Sequence, residues 1–209
     1  MPNSATVFVV DDDAAIRDAL SLLISLHGLR AQVFASADAF LDTYRSEWRG
    51  CLLVDLQMPG MSGLELQAEL KARDISLPVV VLTAHGDVAT ARAALKGGAA
   101  DFLEKPVDDA VLIDVLGNAI RLDAERHSTA QARAAAAERL GRLTPRERDV
   151  LRLLAQGNQL REIAGQLEIS PRTVEVYKAR MMEKLGCRTL ADVVRAGSEL
   201  AAETEGEVD

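Results

Sequence analysis

From residue 6 the chain alternates short, nearly unbroken apolar runs with stretches whose apolar positions recur every three or four residues. The runs are TVFVV (6–10), AQVF (31–34), CLLVD (51–55), PVVVLT (78–83) and ADFLEK (100–105). A continuous, β-branched run reads as a strand buried on both faces, the kind that a parallel sheet covered by helices requires. Between the runs, AAIRDALSLLISLHG repeats Ile16, Leu20, Leu23 and Ile24 at helical spacing and stops at Gly28. Five strands and five helices in βα alternation, joined by right-handed crossovers, predict an α/β fold with a five-stranded, parallel, doubly wound sheet.

After Asp108 the pattern becomes helical, with Leu112, Leu116 and Ile120 in register, and it runs on through the alanine-rich AQARAAAAERLGR at 130–142. High alanine propensity favours a stiff helical connector. Few tertiary contacts favour a flexible linker instead, and the composition satisfies both. LTPRERDVL then opens an all-α region: Thr144 as N-cap, Pro145 at the first helical position and Glu147 three residues after the threonine form a capping box. Gly157 ends that helix, a short one covers about 160–167, and the turn EIS leads to a third, capped by Ser170, begun by Pro171 and stopped by Gly186. TLADVVRAGSEL supplies a fourth. The expected division is 1–122 for the α/β domain, 123–140 for a helical linker, 141–200 for the four-helix domain and 201–209 for an acidic, disordered tail.

Charge sharpens this division. The 209 residues carry a formal charge of −8, which argues against a purely nucleic-acid-binding protein, but the charge is uneven. Residues 1–127 hold 11 Lys and Arg against 19 Asp and Glu, whereas 141–195 hold 11 against 7. An acidic module is therefore joined to a mildly basic one. The 48% of apolar residues are enough to build a core in each. Cys51 and Cys187 lack metal-ligand spacing and read as free thiols of a reducing compartment, Cys51 in the core. No stretch reads as a membrane span or a signal peptide, so a cytoplasmic protein without membrane contact is expected.

The candidate chemistry lies where the strands end. Asp11 and Asp12 follow the first strand and Asp55 the third. With strand order 2-1-3-4-5 these ends are neighbours at the point where the order reverses, the usual ligand crevice of such sheets. Clustered carboxylates need a cation, and Mg²⁺, with Mn²⁺ as a substitute, suits a few acidic ligands plus water and a phosphate oxygen. Thr83 and Lys105, at the ends of the fourth and fifth strands, add a hydroxyl and an ammonium. Three acids, a hydroxyl and a lysine describe phosphoryl transfer to a carboxylate, with Asp55 as the acceptor. Asp13 reads as a helix N-cap rather than a ligand.

VVDDD, LLVDLQMPGMSG, VVLTAHGD and GAADFLEKP together resemble the receiver domain of two-component response regulators, whose sheet is flavodoxin-like. The resemblance implies that Asp12 ligates Mg²⁺ directly, Asp11 acts mainly through water, and the backbone carbonyl of Gln57 completes the set around Asp55. It further implies that Thr83 and Lys105 contact the phosphoryl oxygens, that Phe102 is an aromatic switch residue, and that Lys105–Pro106 is cis. By the same analogy His85 and Gln57 flank the crevice and tune hydrolysis. Core packing alone would also account for Phe102. A stand-alone Asp-dependent phosphatase commonly has a second acid two residues after its nucleophile, where this chain has Gln57, so the reading is not an enzyme.

In the basic region, two helices joined by a short turn suggest a helix-turn-helix whose later helix enters the DNA major groove. Val174, Tyr177, Met181 and Leu185 share one face and read as core. Arg172, Glu175, Val176, Ala179, Arg180 and Glu183 lie opposite, a face suited to base edges and thymine methyls, although a solvated surface would look similar. Thr173, near the start of the helix, joins the contact set, Lys178 and Lys184 sit at the rims where phosphates would lie, and Arg161 adds a backbone contact. LTPRERDVLRLLAQG, REIAGQLEISPRTVEVYKARMMEKLG and RTLADVV resemble the LuxR-type domain, and the whole chain resembles the FixJ/NarL family of transcriptional regulators. Family members commonly carry Asn-Lys where this chain has Leu160 and Arg161. The resemblance implies a histidine kinase partner, promoter DNA, a phosphorylation-dependent homodimer with Leu190, Val193 and Val194 on a dimer face, and RNA polymerase contact wherever it activates.

Overall fold

The computed structural model of the chain describes residues 5–84, 86–189, 191–196 and 198. The chain divides into two compact units, Met1–His127 and Ser128–Asp209. The first contains β1 (Thr6–Val10), α1 (Ala14–Leu26), β2 (Arg30–Phe34), α2 (Ala37–Thr43), β3 (Gly50–Val54), α3 (Gly63–Ala72), β4 (Val79–Thr83), α4 (Val88–Gly97) and β5 (Asp101–Glu104). The next helix, α5 (Asp109–Gly141), begins in the first unit and ends in the second; it is helical for all 33 residues, so the alanine-rich stretch is helix rather than coil.

The five strands form one parallel sheet in the order β2-β1-β3-β4-β5. Strand periodicity sorts the side chains into two cores. Phe8, Val10, Leu52, Val54, Val79 and Val81 pack with Phe40 of α2, Leu66 and Leu70 of α3 and Ala94 of α4. Val7, Val9, Cys51, Leu53, Val80 and Leu82 pack on the other face with Ile24 of α1 and Leu112, Leu116 and Ala119 of α5. Trp48 stacks on Phe8 with ring centroids 4.4 Å apart, which puts the only tryptophan inside the first core's aromatic cluster.

Gly50 begins β3 at φ +134°, and a Cβ there would collide with the backbone of Thr6. Only glycine permits this strand to lie so close to β1.

The second unit contains α6 (Pro145–Ala155), α7 (Leu160–Gln166) and α8 (Pro171–Leu185), and residues 191–196 are again helical. The Thr144/Glu147 capping box closes in both directions, with Pro145 at the start. Ser170 caps α8 by accepting from the Thr173 amide, and Gly186 ends it in the left-handed region. The core gathers Leu140, Val150, Leu151, Leu154, Ile163, Val174, Met181, Leu185 and Val193. No described helix is long and apolar enough to cross a membrane. The proposed tail at 201–209, like Leu190 and His85, lies outside the described residues.

Candidate functional sites

Strand register builds the first site. Val10 pairs with Val54, so Asp11 and Asp55, each one residue further on, stand side by side at the carboxyl edge of the sheet. The Asp55 amide donates to the Val10 carbonyl (3.0 Å). Thr83 pairs with Glu104, and the Lys105 amide donates to the Thr83 carbonyl (2.8 Å), which brings Lys105 to the same edge. Its Nζ donates to Asp11 Oδ2 at 2.9 Å and to Asp55 Oδ1 at 3.1 Å. Both carboxylates are buried, at 3% and 9% exposure, and Thr83 is buried at the end of the neighbouring β4.

The remaining carboxylate oxygens are held by backbone. Asp11 Oδ1 accepts from the Asp13 amide (2.9 Å) and Asp55 Oδ2 from the Gln57 amide (2.7 Å). Gly63, the first residue of α3, has no room for a Cβ because the Asp55 carbonyl occupies that position. Burial, the largest influence on Lys105, pulls its pKa down, but the hydrogen bonds and charges of Asp11 and Asp55 outweigh it and the net shift is upward. The lysine is thus held as an ammonium between two carboxylates.

One ammonium leaves one of two buried negative charges unbalanced, and the adjoining groups are oxygen donors. That donor set fits a hard divalent cation. Asp12 is exposed beside Asp11 and takes no part in the hydrogen bonds joining Asp11, Lys105 and Asp55, and among the described residues no three His, Cys, Asp or Glu side chains are already disposed around a common point. Asp13 caps α1, accepting from the amides of Ala15 (2.8 Å) and Ile16 (3.4 Å). Phe102 is half-buried and packs against the first core. Lys105–Pro106 is cis.

The sequence reading missed Arg17, whose guanidinium donates to the Asp11 carbonyl at 2.7 Å. Its signal was a long cation closing the first turn of α1, because helical side chains lean towards the helix N-terminus and reach the residues before the cap.

The second site lies on α8. Val174 and Met181 are fully buried, Leu185 nearly so, and Tyr177 is half-buried against the same core. Arg172, Glu175, Ala179, Arg180 and Glu183 are exposed, as is Val176 at 43%. Lys178 is half-buried, and Arg161 is exposed at the start of α7. Thr173 is partly engaged in the cap, its hydroxyl 2.8 Å from that of Ser170.

Two expectations change. Lys184 is not a rim cation left for phosphate: its Nζ lies 2.6 Å from Oε2 of the buried Glu147, and the pair joins the ends of α6 and α8. Val193 is fully buried in the core and cannot serve on an outer dimer face, whereas Val194 is 43% exposed. Leu160, standing where an amide was looked for, packs against the core.

Residues 7–117 match the response regulator receiver domain, and residues 141–196 match the LuxR family of bacterial regulatory proteins. The transcriptional regulatory protein FixJ of Azorhizobium caulinodans is 46% identical over 195 residues, covering 93% of this chain and 92% of that protein. Among solved structures, the response regulator StyR is 39% identical with a TM-score of 0.87, covering 94% of this chain and 99% of that one. Full-length FixJ from B. japonicum is likewise 39% identical, with a TM-score of 0.58 over 95% and 98% of the two chains.

Proposed function

Because the chain belongs to the FixJ-type transcriptional regulators of two-component systems, DNA-binding proteins rather than enzymes, we propose that Asp55 is its phosphoacceptor and that α8 reads its promoters. The observation that carries the first half is Lys105 held between Asp11 and Asp55 at 2.9 and 3.1 Å.

A carboxylate oxygen of Asp55 attacks the phosphorus of a kinase phosphohistidine. The P–O bond to Asp55 forms, the P–N bond breaks, and the electron pair returns to the imidazole, which recovers its proton from solvent. Receiver domains use Mg²⁺ for this step; here Asp11, Asp12, Asp55 and the Gln57 carbonyl would hold it, with Mn²⁺ as a substitute, and it would neutralise charge on the phosphoryl oxygens. The Lys105 ammonium follows the charge from the Asp55 carboxylate to a phosphoryl oxygen, and the Thr83 hydroxyl donates to another. Thr83 draws its loop inward and Phe102 turns with it.

The surface changed by that motion is the α4–β5–α5 face, where Val88 and Leu95 on α4 and Val111 on α5 are exposed apolar residues. Positions 88 and 95 are seven apart and share one helical stripe. Two copies joined through this face present two α8 helices to paired half-sites, and linkage raises the effective concentration of the second. On each, Arg172, Thr173, Glu175, Val176, Ala179 and Arg180 face the bases, and Lys178 and Arg161 the phosphates. The protein works in the cytoplasm, where a sensor histidine kinase and promoter DNA are its partners, with RNA polymerase a further one wherever it activates.

The test is to treat the full chain with a small acyl-phosphate donor and Mg²⁺ and to measure phosphate incorporation, oligomeric state and promoter affinity against Asp55→Asn. Incorporation in the native chain alone, with tighter self-association and DNA binding, is the expected result. Equal behaviour of the two proteins refutes the proposal.

A further inference from the structure

At Gly86, two residues before α4 begins, the Thr83 loop and the Phe102 ring are built around a missing side chain. A Cβ placed on Gly86 would lie 2.9 Å from Cζ and 3.0 Å from Cε1 of Phe102, and 3.6 Å from the methyl carbon of Thr83. Its φ lies outside the left-handed region that excludes side chains. The backbone would therefore accept alanine. What refuses it is the tip of the Phe102 ring, and the cheapest relief is for that ring to swing away.

Resting on the assignment of Asp55, Thr83 and Phe102 made above, we propose that Gly86 is a positioning residue that couples the phosphorylation pocket to the dimerising face: its bare Cα lets the Phe102 ring lie against the loop that carries Thr83. The ring tip already takes the space that the glycine leaves, and it keeps that packing as the Thr83 hydroxyl is drawn to the phosphoryl group. A methyl group at 86 claims that space and displaces the ring from the Thr83 loop whatever the state of Asp55. The hydrogen bonds of Asp11, Asp55 and Lys105 do not include residue 86, and the new methyl meets Thr83 only at its methyl carbon, at an ordinary van der Waals distance of 3.6 Å, so transfer to Asp55 is left in place.

The experiment compares the full-length native chain, Gly86→Ala, Phe102→Leu and the double variant, each treated with acetyl phosphate and Mg²⁺. Phosphate incorporation and the monomer–dimer equilibrium are both measured. Gly86→Ala is expected to incorporate phosphate as the native chain does while its phosphorylation-induced tightening of the dimer falls about tenfold or more, the size of an ordinary coupling between sites. The shorter leucine in the double variant should restore most of that response, because its end falls short of the new methyl.

A native chain that takes up no phosphate would refute the assignment of Asp55 itself. The coupling role alone is overturned if Gly86→Ala tightens its dimer as the native chain does, if it loses incorporation together with dimerisation, or if Phe102→Leu brings no recovery.

Discussion

Removing the Lys184 ammonium should destabilise the DNA-binding unit and not the receiver, and the size of the effect follows from the surroundings of its partner. Glu147 is 2% exposed, its Oε2 lies 2.6 Å from Lys184 Nζ, and it also accepts from the Thr144 amide at 2.8 Å. Taking one partner from a buried pair costs about 3–5 kcal/mol. A third of the Lys184 side chain reaches solvent, and Glu147 keeps the Thr144 amide, so Lys184→Met should cost ~2–3 kcal/mol. In a domain of this size that lowers Tm by about 10–20 °C.

The pH dependence has a definite sign. Burial, the largest influence on Glu147, raises its pKa, but the Lys184 and Thr144 hydrogen bonds outweigh it and the folded value lies below the ordinary one. Its contribution is therefore complete above the unfolded value of about 4.3 and is lost as pH falls through the folded value. The gap between native and variant should be full at neutral pH and close in acid. Far-UV circular dichroism follows the helices of both units, while Trp48 fluorescence, confined to the receiver core, is the internal control. Equal melting at neutral pH, a gap that persists undiminished in acid, or a shift of the Trp48 transition would refute the account.

Other outcomes follow from the same geometry. Lys105→Met should lower the Trp48 unfolding transition and make it depend on millimolar Mg²⁺, because Asp11 and Asp55 lose their shared cation; insensitivity to Mg²⁺ in a melt with and without chelator would contradict the donor set. Gly50→Ala should prevent the receiver from folding, since β3 cannot approach Thr6 with a Cβ in place; a native Trp48 emission spectrum would disprove it. Glu175→Gln should change the preferred base at one position of each half-site from cytosine to adenine, with ~1–3 kcal/mol of discrimination, and unchanged preferences in a competition on randomised sites would remove Glu175 from the reading face. Burial, aided by the charge of Asp123, pushes the Cys51 thiol up to about 12, so a thiol reagent at mildly alkaline pH should modify only Cys187 in the folded chain; a second native reaction would refute this.

What the sequence disclosed was local chemistry and whatever a parallel sheet makes local. The Thr144/Glu147 box, the Ser170 cap, Asp13 at the head of α1 and Gly186 at the end of α8 each involve neighbours within a few residues, and each stands as read. Strand edges moved by a residue: Arg30 and Gly50 join β2 and β3, while Asp55 and Lys105 fall just beyond theirs. Arg30 escaped because an exposed position on an edge strand admits a charge that a buried run would not.

The pairings that were missed cross between elements or turn on what lies opposite a helix face. A helical wheel gives the angle at which Lys184 leaves α8 but not that the buried Glu147, 37 residues earlier, waits there. It gives Val193 and Val194 adjacent angles and cannot say that the first meets a core and the second does not. The cluster of Asp11, Asp55 and Lys105 escapes this limit although its residues lie 50 and 94 apart. Once β1 and β3 are neighbours in parallel, the pairing of Val10 with Val54 obliges the next residue of each strand to meet its counterpart. In such a sheet, long-range geometry reduces to counting along two strands, and that is why a cluster of carboxylates can be read from a list of letters when a single salt bridge between two helices cannot.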